Sequence, residues 1–365
     1  MSHDRLRIVF AGGGTGGHIF PALAIADALR VLRPGTEMLF IGTRDKIEAR
    51  VVPRSGYRFE SIWISGFQRR FALRNLLFPF KVGVSLMQSF VHLRRFRPQV
   101  AVGTGGYVSG PVLWMASVLG VPVVLHESNS TPGVATQLMA QRAQIVFTAF
   151  AETASKLRRS DHVRLVGTPV RQASGRVSRE LALERFGLEP NRKTLLVLGG
   201  SLGAASINQA VLAVLDQLLQ EGIQLVWQTG RFQDAAIQKA VGTRKVGWIG
   251  PFIDEMDYAY AAADLAVCRA GAATVAELTA TGTAALLVPY PRATDDHQTM
   301  NAQAMEQAGA AQMMRDSDLP GTLLPAVAQL MADEERRATM REASLRLAKA
   351  DAARVIATAV AELAV

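Results

Sequence analysis

Three apolar, β-branched runs in this chain break directly into glycine-rich turns, and that repeated junction limits the folds open to it. Residues 8–11 lead into Gly12-Gly13-Gly14-Thr15-Gly16-Gly17-His18, residues 100–102 into Gly103-Thr104-Gly105-Gly106-Tyr107, and residues 195–198 into Gly199-Gly200-Ser201-Leu202-Gly203. Glycine lets the backbone turn sharply and approach a ligand closely. A helix beginning just beyond such a turn aims free N–H groups and a partial positive charge at whatever sits there, and phosphate is the usual guest. Such loops in both halves imply two α/β lobes with a nucleotide-type ligand between them.

The rest of the chain has the matching alternation. Strand-like runs fall at 7–11, 38–41, 100–102, 121–125, 145–149, 194–198, 224–228, 265–268 and 285–288. Helix-like segments at 21–32, 110–119, 207–219, 274–280 and 297–307 lie between them. Strand–helix alternation implies right-handed βαβ crossovers and parallel, doubly wound sheets. Val166-Gly167-Thr168-Pro169-Val170-Arg171 marks the break, giving domains 1–168 and 169–349, and the helix-like stretch near 352–363 crosses back onto the first.

At 365 residues, 49% hydrophobic and 19% charged, the chain suits two globular domains. Cys268 is the single cysteine, so no internal disulfide forms, and its apolar setting reads as a buried, inert thiol. The opening residues carry no secretory leader pattern, and no apolar run is long enough to span a membrane. Charge is uneven: residues 1–170 carry +12 and the remainder −3. Residues 61–126 contain no acid, yet hold Arg69, Arg70, Arg74, Lys81, Arg94, Arg95 and Arg97 beside Phe71, Leu73, Leu76, Leu77, Phe78 and Phe80. A basic rim on an apolar patch fits an anionic membrane surface, with an ordinary solvated helix face as the alternative. No nucleic-acid motif accompanies it.

Gly12 to Gly17 match G-x-G-x-x-G, but no acid closes the second strand to hold an adenosine ribose, which argues against NAD, while Arg44 leaves NADP as an alternative. His18 starts the helix and faces the space the loop encloses. Gly103 to Gly106 read as a second phosphate cradle, with Ser109 as a cap for the next helix. His126-Glu127-Ser128-Asn129 place polar side chains at a strand's carboxyl end, where ligands gather in such sheets. In the second half, the N–H groups of Arg269-Ala270-Gly271-Ala272-Ala273-Thr274-Val275 suit a diphosphate, Glu277 a ribose diol, and Gln298 a sugar hydroxyl. Asp316-Ser317-Asp318 has the form of a metal–diphosphate clamp, but its place before a helix reads as a cap or turn, and no His/Cys cluster offers a metal site.

Taken in order, Gly13 to His18, Gly105 to Pro111, His126-Glu127-x-Asn129, Gly199-Gly200-Ser201-x-Gly203-Ala204, Arg269-x-Gly271-Ala272 with Glu277, and Asp296-His297-Gln298 with Asn301-Ala302 resemble the MurG family, with Ser128 where that family has glutamine. The resemblance implies a GT-B fold: two Rossmann-like domains facing a deep cleft, an N-terminal acceptor and membrane-docking domain and a C-terminal donor domain. It implies an inverting transfer of GlcNAc from UDP-GlcNAc to undecaprenyl-diphosphoryl-MurNAc-pentapeptide (lipid I), giving lipid II for peptidoglycan. It implies no cofactor or metal, a peripheral place on the cytoplasmic face of the cell membrane, and other cell-wall synthesis proteins as partners. Carried over by motif, Thr15, Gly16, Gly17, Asn129, Arg171, Ser201, Ile253, Glu277 and Gln298 contact the donor, together with Ala270, Gly271, Ala272, Thr274 and Val275. The acceptor diphosphate meets Gly13, Gly14, Gly105, Gly106, Tyr107 and Ser109; Leu76, Leu77, Phe78, Phe80 and Lys81 touch the membrane. His18 is the expected general base, with Glu127 in reserve. Two rivals stay open at this point: a UDP-GlcNAc 2-epimerase, and a non-catalytic protein that senses a nucleotide sugar.

Overall fold

A computed structural model describes residues 6–66, 77–171, 177–200, 203–293, 296–349 and 351–364. The chain forms two compact units, one of residues 1–171 with 349–365, the other of residues 172–348.

The first unit carries a parallel sheet of seven strands: β1 (Arg7–Gly12), β2 (Glu37–Gly42), β3 (Arg58–Ser61), β4 (Val100–Gly105), β5 (Val123–Glu127), β6 (Ile145–Thr148) and β7 (Val163–Leu165). Their spatial order is β3-β2-β1-β4-β5-β6-β7, so the order reverses between β1 and β4. Both of the first two glycine turns leave the sheet at that switch point, where α/β sheets open a crevice for ligands. Ile8, Val9, Phe10 and Ala11 are wholly buried. Register sets Phe10 beside Phe40 on the neighbouring strand, their rings stacked at 4.8 Å. Such a pair adds about 0.5–1.5 kcal/mol beyond its burial.

The second unit repeats the plan with six parallel strands: β8 (Lys193–Leu198), β9 (Ile223–Gln228), β10 (Gly247–Gly250), β11 (Leu265–Cys268), β12 (Ala285–Leu287) and β13 (Ala311–Met313). The order β10-β9-β8-β11-β12-β13 reverses between β8 and β11. The third glycine turn and the Arg269–Gly271 turn leave from those two strands. Trp227 fills the core of this sheet, and its indole N–H reaches Asn208 Oδ1 at 3.0 Å.

Helix boundaries shift slightly from the sequence expectation. The first helix is Gly16–Leu32, not 21–32, and carries Pro21 inside it. Proline favours a first helical turn, which drew the expected start too late. The last helix, Ala352–Leu363, packs on Gly16–Leu32 within the first unit.

Candidate functional site

At the first switch point the two glycine loops interlock around His18. A side-chain carbon on Gly105 would lie 2.8 Å from the imidazole Cδ2, and one on Gly106 would strike the Gly13 carbonyl. Gly105 and Gly106 both have positive φ, 99° and 82°. The second loop is therefore glycine-rich because it must admit a ring and the opposing backbone. Thr104, wholly buried, donates its hydroxyl to the His18 carbonyl at 2.7 Å. The Tyr107 ring lies over Gly14, where an added carbon would sit 3.1 Å from it.

The His18 side chain points back to its own loop. Its Nδ1 lies 3.2 Å from the Gly13 carbonyl and 3.1 Å from Thr15 Oγ1. A carbonyl only accepts, so Nδ1 carries the proton and Nε2 keeps its lone pair. Burial holds the imidazole below its ordinary 6.5, against the pull of the Glu127 charge, the Gly13 carbonyl and the Glu48 charge. A neutral ring with an unprotonated Nε2 can take a proton.

Two buried carboxylates stand behind these loops. Glu48, at 0% exposure, accepts from the Gly14 N–H at 3.0 Å, the Thr43 N–H at 3.0 Å and the Thr43 hydroxyl at 2.7 Å. Glu127 ends β5 and accepts from the Asn129 N–H (3.0 Å), Asn129 Nδ2 (2.9 Å), the Gly133 N–H (3.1 Å) and the Thr136 hydroxyl (2.7 Å). Each of its oxygens takes two of these donors. His126, also buried, donates Nε2–H to the Gly167 carbonyl at 3.0 Å, and burial lowers its pKa to about 4.

The second switch point is organised by amides and a guanidinium. Gln228 donates to the Gly200 carbonyl at 3.0 Å and accepts the Ile253 N–H at 2.8 Å, bridging two loops. Asn301 holds the Ala270 carbonyl at 3.0 Å. Arg269 donates to the carbonyls of Val288 (3.2 Å) and Pro289 (3.0 Å), to Asp316 Oδ1 (2.5 Å) and to Ser206 Oγ (2.8 Å). Beyond it the helix Ala272–Thr281 starts at Gly271 with no side-chain cap, so the amides of Ala272, Ala273 and Thr274 have no partner inside the helix. Glu277 lies one turn on and accepts from the Tyr260 hydroxyl at 2.8 Å; burial raises its carboxyl to about 7.

Two family models cover most of this chain. The glycosyltransferase family 28 N-terminal domain matches residues 8–148, and the family 28 C-terminal domain matches residues 194–356. A relative from Salinibacter ruber, "UDP-N-acetylglucosamine--N-acetylmuramyl-(pentapeptide) pyrophosphoryl-undecaprenol N-acetylglucosamine transferase", is 44% identical over 100% of this chain and 98% of its own. The chain belongs to the MurG family of glycosyltransferase family 28. The crystal structure of Acinetobacter baumannii MurG is 28% identical, with a TM-score of 0.69 over 98% of this chain and 99% of that one. A UDP-GlcNAc 2-epimerase from Neisseria meningitidis, bound to UDP-GlcNAc, scores 0.64 at 13% identity over 98% and 100% of the two chains, a likeness of fold alone.

Within the frame of a MurG-family chain, several groups expected at the site already have partners within the chain. The Gly14 N–H is taken by Glu48, so it is not offered to a diphosphate. Ser109 does not cap its helix: it is the first residue of Ser109–Val118, and its buried hydroxyl donates to the Gly106 carbonyl at 2.7 Å. Arg171 Nε pairs with Asp27 Oδ2 at 2.7 Å inside the first unit. The Ile253 N–H and the Gln298 carbonyl oxygen are engaged by Gln228 and by the Tyr290 N–H, at 2.8 and 3.0 Å. Asp316 opens a short turn, Asp316–Asp318, and its carboxylate accepts from Arg269 and Ser206. Cys268 is buried, and burial pushes its thiol up to about 12.

On the apolar patch, Leu77 and Phe80 are 53% and 63% exposed, but Phe78 packs against the core of the first unit. Lys81 donates to Ser65 Oγ at 3.1 Å and lies over the Trp63 ring, itself 47% exposed and edge-on to Phe80. Ser201 and Leu76 lie outside the described residues. Sequence spacing assigns no role to Glu48, Gln228 or Trp63, and none to the Thr104 side chain. The one signal for Glu48 was an acid five residues past a strand-ending Gly42-Thr43, where it folds under the glycine loop.

Proposed function

We propose that the chain is an inverting N-acetylglucosaminyltransferase that moves GlcNAc from UDP-GlcNAc to lipid I, giving lipid II. The full-length 44% identity to the Salinibacter ruber transferase carries this reading. In the proposed step the acceptor hydroxyl gives its proton to His18 Nε2 as its oxygen attacks the sugar C1. The C1–O bond to UDP breaks on the opposite face, and the electron pair leaves on the diphosphate. The open amides at the start of Ala272–Thr281 would take that charge, worth about 0.3–1 kcal/mol when exposed and up to ~2 when partly buried. Thr15, Gly16, Gly17, Asn129, Arg171, Ser201 and Gln298 are assigned to the donor, with Glu277 on the ribose diol. The acceptor diphosphate is assigned to the Gly105–Tyr107 loop and to the Gly13–Gly17 loop apart from the Gly14 N–H, which Glu48 holds.

No helix among the described residues is long and apolar enough to cross a membrane. Leu77, Phe80 and Trp63, with Lys81 beside them, support docking on an anionic cytoplasmic membrane face, where the acceptor's lipid tail resides. Two measurements test these statements: UDP release from UDP-GlcNAc with lipid I carried in anionic vesicles, and binding of the protein to those vesicles. No release rejects the transferase. Unchanged vesicle binding by a Leu77→Ser, Phe80→Ser, Trp63→Ser protein rejects the docking surface.

A further inference from the structure

We propose that Glu48 is a positioning residue for proton abstraction, acting on His18 through the single peptide unit that joins Gly13 to Gly14. The inference rests on His18 as the base. The N–H of that peptide donates to Glu48 Oε2 at 3.0 Å, and its C=O accepts from His18 Nδ1 at 3.2 Å. Carboxylate, amide and imidazole thus stand in line, with the amide interposed where a catalytic dyad would have direct contact.

The physical consequence follows from polarisation. A negative charge on the N–H side of an amide pulls its proton outward and leaves the carbonyl oxygen richer in electrons, and hydrogen bonds in a chain strengthen one another in a low-dielectric setting. The Gly13 oxygen is then the stronger acceptor for Nδ1–H than the Thr15 hydroxyl, which can also donate to that nitrogen in the other tautomer. Glu48 thereby favours the tautomer that leaves Nε2 free to accept a proton. The charge is fixed in place because the Thr43 N–H and hydroxyl hold its other oxygen, at 3.0 and 2.7 Å. A carboxylate at 0% exposure is a costly way merely to anchor a turn, since a neutral amide side chain can accept the same N–H.

Other titratable groups face the ring. Glu127, from the end of β5, contributes the larger through-space charge. His126, from the same strand, is neutral near pH 7 because burial brings it to about 4, and the Tyr107 phenol is raised by burial. Neither Glu127 nor His126 is bonded to the Gly13–Gly14 peptide, so the tautomer effect distinguishes Glu48 from them.

The test uses the full chain labelled with 15N-histidine, the His18 signal being the one lost in His18→Gln. In the wild type the ring nitrogens should report a protonated Nδ1. In Glu48→Gln the shifts should move toward the Nε2–H form and the His18 pKa should fall. The acidic limb of kcat should then move to lower pH, with kcat down about tenfold at neutral pH and donor KM within about twofold. Glu127→Gln should lower the His18 pKa but leave the tautomer as it is. If Glu48→Gln does not fold, Glu48→Asp withdraws the oxygen from the Gly14 amide, and the tautomer must shift there too. Unchanged ring shifts in a folded Glu48 variant overturn the proposal. Shifted nitrogens with an unchanged kcat at every pH also overturn it and remove His18 as the base, while the UDP-release assay still decides whether the chain is a transferase.

Discussion

In the first unit a buried carboxylate, Glu48, holds the first glycine turn from behind, and a second, Glu127, holds the neighbouring loop after β5. In the second unit the turns are held by the side-chain amides of Gln228, Asn208 and Asn301 and by the guanidinium of Arg269. Both units have the same doubly wound sheet and the same kind of glycine turn, so the fold does not explain the difference. The proposed chemistry of each turn does. Negative charge behind a loop raises the basicity of an imidazole in front of it and draws loop amides inward. Side-chain amides and the Arg269–Asp316 pair leave the amides of Ala272, Ala273 and Thr274 with no partner inside their helix, where the proposed departing diphosphate would develop charge. On the proposed mechanism, similar loops would serve proton removal in one unit and anion stabilisation in the other.

The sharpest way to break this contrast is His18→Ala. Loss of a positioned base should lower kcat by about 10²–10⁴ and leave the Kd for UDP-GlcNAc within a factor of about two. Comparable losses in both, measured by steady-state kinetics and calorimetry, would place His18 in donor binding and dissolve the division of labour. Because burial holds the imidazole below its usual range, the acidic limb of wild-type kcat should have its midpoint below that of an ordinary imidazole.

Arg269→Met attacks the other side. It strips donors from two carbonyls and leaves Asp316, 21% exposed, without its 2.5 Å partner. A buried pair broken on one side costs about 3–5 kcal/mol; with Asp316 partly exposed, about 2–3 kcal/mol is expected. That corresponds to a Tm lower by roughly 4–12 °C in differential scanning calorimetry. A shift under 1 °C would mean that the second switch point is not held by its guanidinium.

The sequence revealed the strands at the centre of each sheet and missed those at the edges. All nine expected strand-like runs formed strands, while β3, β7, β10 and β13 were overlooked, and these are the outer strands of the two sheets. Central strands are covered on both faces and read as unbroken apolar runs, as Ile8 to Ala11 does. Val163–Leu165 is half-open to solvent and three residues long, so no such run exists. The site divides in a similar way. Glycines and His18 are visible because their spacing is local, whereas Glu48 meets Gly14 across 34 positions and Gln228 meets Gly200 across 28. Whether a loop amide faces a ligand or a carboxylate behind it depends on such distant partners, and a glycine run reads alike in both cases.

Glu277 gives the finest test, because burial leaves its charge state open near neutral pH. Burial raises its carboxyl from 4.5 to about 7, against the opposing pull of the Tyr260 hydroxyl. A carboxyl with a raised native pKa holds its proton better folded than unfolded. Its contribution to stability is therefore intact below pH 4.5 and is lost as pH rises through about 7, an effect on the order of 3 kcal/mol. Glu277→Gln should flatten that slope, gaining stability over the wild type across the window while raising donor KM about tenfold. Ribose hydroxyls donating to the carboxyl would favour its ionised form, so donor binding at pH 7 should release about half a proton. Calorimetry in buffers of different ionisation enthalpy measures that release directly. The same release from Glu277→Gln would trace it to another group and remove Glu277 from the ribose, leaving the second unit to hold its donor through amides alone.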